Sequence, residues 1–103
     1  MRTLKFIVDG QKIAQDPMCD FKGLIPGTKG YLEASFQFSD EWKGCKKAAV
    51  FGSLGQEYAV PLVNGKCEIP EKALTWRVFS VKLAGIRDGY RITTNKVEAL
   101  QDG

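Results

Sequence analysis

The chain contains no histidine, so any hydrolytic or transfer chemistry would have to come from carboxylates, lysines, serines or cysteines. These groups are densest in FSDEWKGCKK, residues 38–47, where Asp40, Glu41, Lys43, Lys46 and Lys47 surround Trp42 and Cys45. Two carboxylates can cleave a glycosidic bond when a fixed gap separates them across the scissile atoms. Asp40 and Glu41 are neighbours in a turn and point apart, so they define no such gap. Cys45 has Lys46 and Lys47 beside it, and adjacent cations favour a thiolate nucleophile. With a lysine or carboxylate as the only available base, a structural cysteine is the plainer reading.

Cys19, Cys45 and Cys67 are odd in number, 26 and 22 residues apart, and form no CxxC pair. That pattern argues against a disulfide framework and for free thiols in a reducing compartment. A zinc site would need all three plus a carboxylate, an uncommon set. The 11 glycines show neither GxGxxG nor P-loop spacing and fall where turns need positive φ. The expectation is a non-enzyme: no catalytic residue, no cofactor and no metal, with the partner-binding residues unassigned.

At 103 residues the chain reads as a single domain, 1–103, able to bury a modest core. Hydrophobic residues are 44% and charged ones 26%, an ordinary globular balance. The net charge of +3 comes from 15 basic and 12 acidic residues, too mixed to predict a nucleic-acid partner. Such a partner would need Lys22, Lys29, Lys43, Lys46 and Lys47 gathered on one side. No apolar run approaches the ~20 residues that span a bilayer. The apolar run Phe6 to Val8 is too short for a signal-peptide core. Neither a membrane nor secretion is expected.

The elements that must position these groups read as strands. Thr3–Val8 and Gln11–Ala14 flank Asp9-Gly10, a tight-hairpin signal. Residues 16–30, with Pro17, Gly23, Pro26, Gly27 and Gly30, predict a loop or a short irregular edge strand. Tyr31–Phe38 alternates, with Leu32, Ala34, Phe36 and Phe38 on one face. Lys47–Phe51 is short and apolar, and Gly52–Gly55 turns the chain. Glu57–Val63 is another strand, which Pro61 assigns to an edge or a bulge. Asn64-Gly65 is a second hairpin turn. Ile69–Leu74 predicts one helical turn with Pro70 near its start. Thr75–Ala84 alternates again, placing Phe79, Val81 and Leu83 opposite Trp76 and Val78. Arg87-Asp88-Gly89 turns into Tyr90–Leu100, broken at Thr94-Asn95. About seven or eight short strands, with turn signals roughly every ten residues, predict an all-β fold: an antiparallel sandwich ahead of a small barrel.

The cluster around Trp42 then has a structural explanation. Ser39 and Asp40 are expected to cap the turn through their side chains. Trp42 is expected to drop into the core and pin a connection between sheets. Trp76 is expected to be buried in the same way. The alternative for either ring is an exposed anchor for a partner protein.

The ordered set Phe36-Gln37-Phe38-Ser39-Asp40-Glu41-Trp42-Lys43-Gly44, Ala49-Val50-Phe51, Asn64-Gly65-Lys66-Cys67-Glu68-Ile69-Pro70, Phe79-Ser80-Val81 and Ile92-Thr93-Thr94-Asn95 resembles a family. It is that of the small immunoglobulin-like modules in structural proteins of tailed phages and prophages of Gram-positive bacteria, including N-terminal modules of baseplate and tail proteins. The likeness runs from residue 30 to residue 97. It implies an immunoglobulin-like β-sandwich made in the host bacterial cytoplasm and built into the virion, where it serves assembly, decoration or attachment. It implies partners among other virion proteins and copies of the same chain, and no catalytic residues. Candidate contact elements are the edge near Pro61, the loop from Asp16 to Gly30 and the C-terminal strand. A second expectation is a sandwich that binds host-surface glycan through Tyr31, Trp42, Tyr58, Trp76 and Tyr90. A third and weaker one is a small barrel that binds nucleic acid.

Overall fold

A computed structural model describes residues 1–102. Nine strands form two sheets: β1 (Arg2–Asp9), β2 (Lys12–Gln15), β3 (Leu32–Phe38), β4 (Lys46–Ser53), β5 (Gln56–Pro61), β6 (Lys66–Glu68), β7 (Val78–Arg87), β8 (Tyr90–Thr93) and β9 (Val97–Leu100). The first sheet runs β2-β1-β3-β6 and the second β5-β4-β7-β8, with β9 also paired to β7. The two pack as a sandwich-like domain with no α-helix among the described residues. The strand count exceeds the expected seven or eight by one, and the expected break at Thr94-Asn95 separates β8 from β9. β8 pairs with the end of β7 and β9 with its start.

The first sheet is mixed rather than antiparallel. β1 and β3 run parallel, from Arg2 opposite Leu32 to Val8 opposite Phe38. A parallel pair needs a long crossover, and residues 16–31 supply it as a loop. Phe21 packs edge-on to Phe6 at 5.4 Å, Leu24 is buried, and Gly27 N donates to Leu74 O at 2.8 Å. The segment adds no strand to either sheet, so the edge-strand option is not taken.

Turn chemistry sets the hairpins. Leu54-Gly55 and Asn64-Gly65 both have positive φ at each position, the geometry that matches strand twist in two-residue loops. Asp88-Gly89 closes β7 onto β8, with Arg87 opposite Tyr90. The one-turn prediction is met by a 3-10 turn, Glu71–Leu74. β7 begins later than the alternation suggests, since Thr75–Arg77 is used up leaving that turn.

The core lies between the sheets. Leu4, Phe6, Val8, Leu32, Ala34 and Phe36 face Phe51, Phe79, Val81 and Leu83. One flank of the sandwich is closed by side chains. Asn95, in the break between β8 and β9, accepts from Ile13 N at 2.9 Å, while its own N–H donates to Gln11 O at 3.1 Å. Gln15 Nε2 reaches Glu98 O at 3.1 Å. These bonds satisfy the outer edge of β2, which would otherwise be open.

Candidate protein-docking face

The cluster at residues 38–47 is the corner between the sheets. β3 ends in the first sheet, a 3-10 turn spans Asp40–Trp42, and β4 starts in the second. Trp42 is fully buried, its Nε1 donating to Gly10 O at 2.8 Å. That pins the corner to the β1–β2 turn, as the core reading expects. The expected cap is different: no side chain caps the 3-10 turn. Ser39 Oγ instead accepts from Gly10 N at 2.8 Å, a second tie between corner and hairpin. Tyr90 Oη donates to Glu41 O at 3.0 Å and Arg87 Nη1 to Lys43 O at 2.7 Å, so the polar groups of the corner serve the backbone.

Of the three cysteines Cys45 lies in this corner, its N–H donating to Trp42 O at 3.2 Å. Cys45 is buried, and Lys47 Nζ donates to its carbonyl at 3.2 Å. Burial, with Glu33 adding repulsion, pushes the Cys67 thiol up from 9.0 to about 12. Among the described residues, no group of three or more Cys, Asp or Glu could hold a metal.

Trp76 departs from expectation. It is 46% exposed, because the Thr75–Arg77 connection carries it to the outside before β7 starts. Its ring forms one wall of an open groove with Leu54, Gly52, Ser80, Glu57 and Glu98, and Arg77 lies 5.4 Å from the ring centre.

That groove is one end of a larger surface. Paired residues share a face of a sheet, so the register maps each outer surface. On the first sheet the outer rows are Thr3–Glu33–Glu68, Lys5–Ser35–Lys66 and Asp9–Lys12, with Ile7, Ala14 and Gln37. This face is polar and charged, as expected for a sheet surface turned to solvent. On the second sheet the rows are Pro61–Ala48–Ala84–Thr93, Ala59–Val50–Lys82, Glu57–Gly52–Ser80–Glu98, Val78–Leu100 and Lys46–Ile86–Arg91. Apolar side chains are more frequent here than on the first sheet, interspersed with Lys46, Lys82, Arg91, Glu57 and Glu98, and Ile86 and Leu100 stand 56% and 69% exposed.

Small residues keep this face flat. A β-carbon at Gly52 would lie 2.5 Å from Ser80 Oγ, so a larger residue there would require the Ser80 hydroxyl to turn away. Across this face Glu57 pairs with Lys82 at 3.3 Å and Lys96 at 3.4 Å. Those hydrogen bonds, from Lys82 first and Lys96 second, hold the Glu57 carboxyl below its ordinary 4.5. The ion pairs leave the one acidic side chain of β5 neutralised within the face.

The sequence reading named Pro61 and the C-terminal strand, which lie at opposite corners of this sheet, Pro61 in the row of Ala48 and Ala84 and Leu100 opposite Val78. It missed Ala48, Val50, Val78, Ala84 and Ile86. A signal was available: Ala48-Ala49-Val50-Phe51 is apolar without alternation, the pattern of a strand covered on both faces. The core covers one face; the other is open. Of the five aromatic residues named for glycan, Trp42 is buried, Tyr58 and Tyr90 are half-buried, Tyr31 is exposed just before β3 and Trp76 is exposed in the groove. No protein-family model, curated protein or solved structure matches the chain.

Proposed function

We propose that the chain is a non-enzymatic structural module of a tailed-phage or prophage virion, immunoglobulin-like in its sandwich. It acts in assembly or attachment by docking neighbouring virion proteins on the outer face of its five-stranded sheet. One observation carries the docking reading: the two outer faces differ. One is polar, whereas the other gathers Ala48, Val50, Ala84 and Ile86 toward one end and Val78 and Leu100 at the other, with the Glu57–Gly52–Ser80–Glu98 row between them. Large apolar patches on a domain mark where another protein sits. The virion assignment rests on the resemblance of the ordered segments between residues 30 and 97. The test is mass spectrometry of tailed particles released by the bacterium that encodes the chain. The protein is expected in purified particles at a fixed ratio to the other structural proteins. Its absence from them would remove this reading.

A second reading has an observation of its own. Exposed Trp76 borders a groove that also holds Glu57, Glu98 and Ser80, a stacking surface beside hydrogen-bonding groups of the kind that suits a sugar ring. A glycan array separates the two. Binding that disappears in Trp76→Ala supports carbohydrate recognition, and an array without signal dismisses it.

A further inference from the structure

The outer edge of β5 has a register that makes it complementary to itself. Ser53 and Gln56 close a two-residue hairpin loop, and the residues that close such a loop exchange backbone bonds. Bonded pairs then recur at every second residue: Phe51 with Tyr58, Ala49 with Val60. The bond from Leu62 N to Lys47 O at 2.9 Å continues the series. The backbone groups of Glu57, Ala59 and Pro61 therefore point away from β4. β4 is the one strand that pairs with β5 among the described residues. Glu57, Ala59 and Pro61 are all exposed.

We propose that β5 pairs antiparallel with β5 of a second copy, about a two-fold axis at Ala59, joining two five-stranded sheets into one. In this register Ala59 N–H donates to Ala59 O of the second copy, and the reverse. Glu57 N–H donates to Pro61 O of the second copy, and the reverse. Pro61 has no N–H to donate, and in this alignment it meets a carbonyl that no donor reaches. The charges agree with the pairing. The two Glu57 side chains each face a proline rather than one another, and each is already bonded to its own Lys82 and Lys96. Like charges set directly opposite would oppose such a pair; here Ala59 meets Ala59. The two apolar outer faces become continuous, which doubles the surface offered to a further virion protein. Two-fold pairing of one patch with itself is the commonest way a chain forms a closed oligomer.

The proposal deepens the assembly reading and rests on it for its purpose, while its geometry is tested separately. Light scattering on the eluting protein, at two concentrations, is expected to give twice the mass of the chain. Ala59→Pro removes an outward N–H and touches no bond of the β4–β5 ladder. It should weaken dimerisation at least about 10-fold, since two main-chain bonds are lost per dimer, with the thermal melt unchanged. If that variant fails to fold, the pair Ala59→Lys and Ala59→Glu decides the matter. Each alone is expected to be monomeric, and their mixture to form a one-to-one dimer. A monomeric wild-type chain, a dimer that survives Ala59→Pro, or charge variants that do not restore pairing when mixed would each overturn the edge pairing. A monomer that is still found in particles overturns the pairing and leaves the assembly reading standing. A dimer missing from particles does the reverse.

Discussion

The indole of Trp42 lies against Gly85 so closely that a β-carbon there would meet Cε3 and Cζ3 at 2.8 Å. Gly85 is the inward position of β7 next to the corner, so the corner and the second sheet fit only when that position has no side chain. Gly85→Ala forces the ring or the strand to shift, and overpacking of this kind costs about 1–3 kcal/mol. Trp42→Ala removes the ring and its bond to Gly10 O, at about 3–5 kcal/mol. Urea denaturation measures both. A Gly85→Ala chain as stable as wild type would mean that the ring is not held as described.

Asn95→Ala removes the acceptor for Ile13 N–H and should cost about 1 kcal/mol. The local effect is more diagnostic. The Ile13 amide should exchange with solvent faster, because the flank between β2 and the β8–β9 break loses its tie. Asn95→Asp keeps an acceptor oxygen and should keep the protection. Equal exchange in all three chains would show that the flank closes without Asn95.

Thiol labelling at pH 8 should distinguish the three cysteines. Cys19 is half-buried, while Cys45 and Cys67 are buried, and the Cys67 thiol stays protonated with its value near 12. Iodoacetamide is expected to modify Cys19 first and the other two only after unfolding, as read by peptide mass spectrometry. The raised folded value also sets a sign. The unfolded chain releases the Cys67 proton near 9.0 and the folded one near 12, so stability contributed by this group is present below 9.0 and declines as pH rises toward 12. Early modification of Cys67 in native protein would contradict its burial.

Glu57 has the opposite sign. Its folded value is depressed by Lys82 and Lys96, so its contribution is present above 4.5 and is lost as pH falls through the lower folded value. Glu57→Gln should melt below wild type at pH 7, and the gap should close in acid. Added salt should narrow it too, because the pair is exposed. A gap that stays constant from neutral to acid pH would show that the ion pairs contribute nothing.

The local elements were legible because short-range chemistry writes them. Asn64-Gly65 and Asp88-Gly89 each carry the turn they signal, the Asp9-Gly10 signal falls one residue early because Asp9 still pairs with Lys12 and the loop is Gly10-Gln11, and the alternation in Leu32–Phe38 gives the inward face. Pro61 marks an edge strand, at a position whose missing N–H disturbs no ladder bond. Long-range partners were not legible. Nothing in Arg2–Val8 says that it lies parallel to β3, since that pairing is decided by the crossover at 16–31. Trp76 fits the alternation of the strand that follows it, but the connection leaving the 3-10 turn overrides that pattern and exposes the ring. The apolar outer face of the second sheet was hidden because its residues lie between core positions on the same strands. Only the register shows that they line up.

Incorporation into particles, compared between two variants that each add one negative charge, tests the docking face most directly. Ile86→Glu places it on the apolar face of the second sheet, and Gln37→Glu on the polar face of the first. Burying an exposed isoleucine is worth about 1.5–3 kcal/mol, so Ile86→Glu should lower incorporation at least about tenfold, while Gln37→Glu enters particles like wild type. Incorporation of Ile86→Glu at the wild-type level, with the fold intact, would contradict the docking role assigned to that face.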